Sequence, residues 1–129
     1  MTGNDQTVYE AAGGQEFFER LVADFYAGVA GDPVLAPLYP EAPDFSGAQR
    51  RLTLFLAQYW GGPGTYSEER GHPRLRMRHF PFPVGPRQAE RWLVHMTAAV
   101  DTHTEPGPVR DKLMAYFTDT AEFLMNRPG

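Results

Sequence analysis

Cysteine is missing from the whole 129-residue chain. Its absence removes disulfides, thiolate nucleophiles, zinc–thiolate sites, iron–sulfur clusters and thiolate-held metal centres together, and it suits a reducing compartment. Long apolar runs are missing too, since none approaches the roughly 20 residues that cross a bilayer. The opening Met1-Thr2-Gly3-Asn4-Asp5-Gln6 has neither the basic region nor the apolar core of a secretion signal. The expectation is an unprocessed cytoplasmic protein with no membrane partner. Positive charge is in deficit: the net charge of −4 argues against a nucleic-acid partner. Strand alternation, internal repeats and low-complexity segments are absent. So are the G-x-S-x-G elbow, a glycine-rich phosphate loop and any flavin or nicotinamide motif.

What is present is apolar and aromatic. Apolar residues make up 42% of the chain and aromatics 13%, enough to build a real core and to exclude disorder. The length suits one domain spanning residues 1–129. Roughly the first seven and last four residues are expected to be loose ends. Phe17, Phe18, Leu21, Val22, Phe25, Tyr26 and Val29 recur at three- and four-residue spacing, which predicts one wide helical face. Gly13-Gly14 precede that face and Gly31 can end it. Asp32-Pro33 reads as a cap and first residue of a further short helix. Asp44 caps the next, with Ala48, Leu52, Phe55, Leu56 and Tyr59 facing inward until Trp60-Gly61-Gly62-Pro63-Gly64 stops it.

From Tyr66 to Gly85 the pattern is irregular, with one short helix expected at about Pro73 to His79. Pro86 opens a long helix with Ala89, Trp92, Leu93, Met96, Ala99, Val100 and His103 on one side. After Glu105-Pro106-Gly107-Pro108, a last helix carries Leu113, Tyr116, Phe117, Thr120, Ala121 and Leu124. The fold class is all-α. A long irregular link inside so small a domain usually has a functional reason or a ligand to hold it.

Chemistry could reside in two places. The histidines are His72, His79, His95 and His103, and no pair has the spacing and accompanying acid of a zinc site. In Gly71-His72-Pro73-Arg74-Leu75-Arg76-Met77-Arg78-His79-Phe80-Pro81, His79 ends a short helix beside a ring and a proline. It is suited to be a single axial metal ligand, while the alternating arginines could pair carboxylates. The same residues also read as a solvated basic turn with a capping histidine. Tyr26, Tyr39 and Trp92 bring phenol and indole donors toward apolar surroundings. They read equally as core aromatics whose polar tips find backbone or water.

The chain resembles the truncated haemoglobins, and within them group II. The resemblance rests on Gln58-Tyr59-Trp60-Gly61-Gly62-Pro63, on Tyr66-Ser67, and on the run from Gly71 to His79. Tyr9-Glu10-Ala11-Ala12-Gly13-Gly14, Phe25-Tyr26, the stretch from Val34-Leu35 to Tyr39-Pro40, and the place of Trp92 agree with it. It implies a shortened globin, two helices over two, enclosing haem b. It makes His79 the iron ligand, and Tyr26, Tyr39 and Trp92 the donors to a bound ligand. Ala48 stands where many globins have a distal histidine. Leu52, Phe55, Leu75, Phe82 and Met96 are implied to line the haem. Arg51 and Arg78, with Tyr59 and Tyr66 as weaker candidates, would meet its propionates.

Such donors stabilise a ligand that gains negative charge on binding. The expected ligands are O2, CO, NO or peroxide, held tightly. The expected use is redox chemistry, nitric oxide dioxygenation or peroxide reduction, with a separate reductase or other electron donor. The alternatives are a non-catalytic oxygen carrier, store or sensor, or a helical interaction module without haem. Either a monomer or a homodimer is compatible with the sequence.

Overall fold

A computed structural model describes residues 6–71 and 84–125. The described residues form α1 (Val8–Ala12), α2 (Gln15–Ala30), a 3-10 turn (Ala36–Leu38), α3 (Ser46–Tyr59), α4 (Thr65–Arg70), α5 (Pro86–His103) and α6 (Pro108–Phe123). As expected, the chain is all-α and packs two helices over two. Helix α2 lies against both α3 and α5, and α5 lies against α6. No helix among the described residues is long and apolar enough to cross a membrane.

The apolar period of α2 produces the centre of this arrangement. Phe17, Phe18, Leu21, Val22, Phe25, Tyr26 and Val29 are all buried, and full burial of such a side chain contributes about 1.5–3 kcal/mol. Met96, Ala99 and Val100 of α5 and Leu113 and Phe117 of α6 complete the core. Helices α2 and α5 come close where Gly28 faces His95; a Cβ added at Gly28 would stand 2.4 Å from His95 Nδ1. Gly61 has φ +107°, and a Cβ there would press on Thr7 at 2.7 Å. Glycine at that point lets α1 seat on the end of α3, where the Tyr9 N–H donates to the Trp60 carbonyl at 2.9 Å.

Three local expectations differ from the structure. Asp32 caps no α-helix: its Oδ1 accepts from the Val34 N–H at 2.8 Å, and only the short 3-10 turn follows. Pro37 inside that turn and Pro40 beyond it leave little chain from which a longer helix could grow. Asp44 accepts from the Ser46 N–H at 3.0 Å, yet Phe45 is the residue at the helix boundary. Helix α4 was expected to be irregular, because Thr65-Tyr66-Ser67-Glu68-Glu69-Arg70 has no apolar period and buries only Tyr66.

What holds α4 is a set of polar clamps to α3. Gln58 Nε2 donates to Ser67 Oγ at 2.7 Å, and the Ser67 N–H donates back to Gln58 Oε1 at 2.9 Å. Arg50 pairs with both oxygens of Glu69 at 2.6 and 2.7 Å. Tyr59, expected to face inward, is 53% exposed at the end of α3. The short helix expected from Pro73 to His79 lies outside the described residues.

Candidate functional site

A cavity of about 480 Å³ opens among α2, the segment after it, α3, α4, α5 and the end of α6. Its apolar walls come from Leu35, Leu38, Ala48, Leu52, Phe55, Val84, Ala89, Ala121 and Leu124, with aromatic surface from Tyr26, Tyr39, Tyr66 and Trp92. Glu41, Arg51, Arg70 and Gln88 are its polar lining. The structure thus gathers Tyr26, Tyr39, Trp92, Ala48, Arg51, Leu52, Phe55 and Tyr66, each singled out in the sequence, around one space. Tyr59 and Met96 are not among the described residues that line it. Met96 is fully buried in the core, and Tyr59 is turned toward solvent. Leu75, Arg78, His79 and Phe82 lie outside the described residues, as does His72.

The donors share one wall. Tyr26 and Tyr39 meet edge to face, with ring centroids 5.6 Å apart and planes at 81°. Phe45 packs on both, at 5.8 and 5.5 Å. Burial first, and then the neighbouring Tyr39, raise the Tyr26 phenol well above its usual pKa. Burial likewise pushes Tyr39 up to about 12, while its hydrogen bond with Tyr26 pulls the other way. Both phenols keep their protons at neutral pH. Trp92 is clamped between Phe25, at 5.4 Å and 68°, and Phe117, at 6.0 Å and 65°. Its indole has little freedom to reorient.

A buried carboxylate fixes this wall from behind. Asp32 Oδ2 accepts from Arg91 Nε at 2.9 Å and from His95 Nε2 at 2.7 Å, and its side chain is 3% exposed. The His95 hydrogen bond, then that of the Val34 amide, hold the Asp32 carboxyl well below the usual carboxylate range. Arg91 precedes Trp92 and His95 follows it by nearly one turn, so Asp32 pins α5 at the level of the indole. Sequence reading missed this anchor, because its partners are 59 and 63 residues away. The only local hint was an aspartate placed just after a helix-ending glycine.

The haem expected from the resemblance demands wide apolar walls and cations for its carboxylate edge, and the described residues meet both demands. The volume lies within the range of small-molecule and cofactor sites. Arg51 and Arg70 belong to the lining, and Arg51 is itself held by Glu41 at 2.8 Å. That pairing draws the Glu41 carboxyl below its usual value. Neither histidine among the described residues, His95 or His103, belongs to the cavity lining, so a histidine ligand to the iron would come from outside the described residues.

Comparison with known proteins agrees with this chemistry. A family model described as bacterial-like globin matches residues 7–126. The group 2 truncated hemoglobin YjbI of Bacillus subtilis is 41% identical over 119 residues, which cover 92% of this chain and 88% of that protein. The thermostable hemoglobin of the actinobacterium Thermobifida fusca superimposes with a TM-score of 0.92 at 55% identity, covering 96% of this chain and all of the other. The group II truncated hemoglobin of Bacillus anthracis does so at 0.91 and 40% identity, covering 96% and 99% of the two chains.

Proposed function

The chain belongs to the group II truncated haemoglobins, haem globins that bind diatomic ligands, and we propose that it holds such a ligand tightly for redox turnover rather than for delivery. The observation that carries this reading is the donor wall, in which Tyr26, Tyr39 and Trp92 converge on one apolar cavity with both phenols protonated. In this reading the prosthetic group is haem b, His79 is its iron ligand, and Leu52, Phe55 and Ala48 pack on its face. Arg51 receives its propionates, with Arg78 as a second candidate. When bound, the haem would supply a redox-active iron that can take a small ligand.

The chain's own part is electrostatic. Tyr26 and Tyr39 bring phenol O–H groups to the cavity, and Trp92 adds an indole N–H at fixed orientation. Donors that need no reorganisation favour the ligand in its more charged form. Slow release follows, and slow release suits chemistry better than transport. Nitric oxide dioxygenation would combine NO, O2 and one electron into nitrate; peroxide reduction would take two electrons and two protons per peroxide to yield water. Both require an external reductase or other electron donor.

The test is an absorption spectrum of the purified protein before and after reduction and exposure to air, followed by nitric oxide consumption with a reducing system present. A Soret band that shifts at each step, with continuous consumption of NO or of peroxide, is the expected result. Stoichiometric reaction without cycling for both substrates would overturn the redox reading and leave an oxygen carrier, store or sensor.

A further inference from the structure

Away from the donor wall, the aromatic rings form a second pattern that ligand binding does not explain. At the end of α3, the 53% exposed Tyr59 packs on Tyr116 of α6 with ring centroids 4.3 Å apart and planes tilted by 33°. Trp60 stands edge-on to both, at 5.0 and 5.5 Å. Its indole nitrogen is buried without a hydrogen-bond partner among the described residues, an unfavourable placement that packing alone does not call for.

Two lines of rings run inward from this cluster. One passes from Tyr59 to Phe55 at 6.1 Å, and Phe55 lines the cavity. The other passes from Tyr116 to Phe117 at 5.5 Å and on to Trp92 at 6.0 Å, and Trp92 lines the cavity as well. Each line begins at a solvent-facing tyrosine cluster and ends at the site of chemistry.

In a chain without cysteine, tyrosine and tryptophan are the side chains that most readily give up one electron. We propose that Tyr59, Trp60 and Tyr116 form a surface relay at which a small phenol delivers electrons to the cavity, one at a time. This rests on the peroxide branch of the proposed function. For each peroxide consumed, two electrons and two protons convert H2O2 to two waters. Each electron drawn from the relay leaves a neutral tyrosyl radical, its proton passing to solvent. A phenol resting against Tyr59 then restores the tyrosine by giving up one electron and one proton, and departs as a phenoxyl radical. The sum is one peroxide and two phenols to two waters and two phenoxyl radicals. Phe55 and Phe117 do not themselves oxidise; they bridge the gaps between the rings that do.

The experiment treats the haem-loaded full chain with hydrogen peroxide, with and without p-cresol. Without p-cresol, the exposed radical should couple between molecules, giving dityrosine fluorescence and covalent dimers on a denaturing gel. Tyr59→Phe should lose most of both signals, and the double variant Tyr59→Phe/Tyr116→Phe should also lose the tyrosyl signal in freeze-quenched electron paramagnetic resonance. With p-cresol, kcat/KM for its oxidation should fall severalfold in both variants, while the spectral change on adding peroxide alone keeps its rate. Tyr9→Phe, which removes a phenol outside both lines, should change none of these. Peroxide consumption by the wild type with dimers and cresol oxidation untouched in both variants would overturn the relay and spare the peroxide reading. No peroxide consumption by the wild type would overturn both.

Discussion

Replacing Trp92 by phenylalanine should speed oxygen release by roughly tenfold to a hundredfold. A hydrogen bond to a charged group contributes about 1.5–3 kcal/mol, and each 1.4 kcal/mol is about tenfold in rate when the bond is lost only on release. The structure makes this substitution a clean one. Phe25 and Phe117 grip the ring at Trp92 from two sides, so a phenyl ring remains held while the N–H disappears. Tyr26 and Tyr39 pair with each other and with Phe45, so the change leaves their contacts in place. The assay is stopped-flow displacement of oxygen by excess carbon monoxide, with wild type and variant at equal haem content. Tyr39→Phe and Tyr26→Phe extend the series, and each should speed release by removing one phenol O–H from the cavity lining. An unchanged release rate in Trp92→Phe would refute the assignment of its indole to the ligand.

Two further outcomes follow from the anchor behind the wall. Gly28→Ala places a Cβ 2.4 Å from His95 Nδ1; overpacking of about 1–3 kcal/mol outweighs a helix-propensity gain of about 1 kcal/mol, because His95 is tied to Asp32. Thermal unfolding should show a lower Tm, restored in part by adding His95→Ala, and a raised Tm would show that the imidazole swings away freely. Asp32 stabilises the fold fully above the ordinary aspartate pKa of about 4 and loses that contribution as pH falls toward its depressed folded value. The Tm gap between wild type and Asp32→Asn should therefore close on acidification below that point. A gap that widens below about pH 4 would contradict the depressed Asp32 value.

The sequence disclosed most where periodicity or punctuation governs. The buried face of α2 is the one its spacing predicts, and Pro86 opens α5 as expected; Pro108, read as part of the break before the last helix, is instead its first residue. The donor wall was legible as residues but not as a wall, since Tyr26, Tyr39 and Trp92 sit on three separate segments. Its nature depended on a likeness to a family rather than on spacing. Helix α4 escaped notice because clamps from α3 hold it, and side-chain pairing across a turn leaves no periodic trace. Tyr59 misled for a related reason. Helical phase put it in line with Phe55, but α3 ends there and the ring turns onto Tyr116. Ala121 and Leu124 were read as an apolar face of the last helix, with no sign that they border the cavity.

The clamps and the anchor also differ in the length of chain that each closes. The bonds from Gln58 to Ser67 and from Arg50 to Glu69 span 9 and 19 residues. Those joining Asp32 and Asp24 to α5 span 59, 63 and 79. Loop-closure entropy grows with the logarithm of length, so each long closure costs roughly 1–2 kcal/mol more than a short one. The α3–α4 rim of the cavity is thus a local object, nearly a hairpin of helices. The donor wall is the opposite: Tyr26 and Trp92 come to line one cavity only when the two halves of the chain have met.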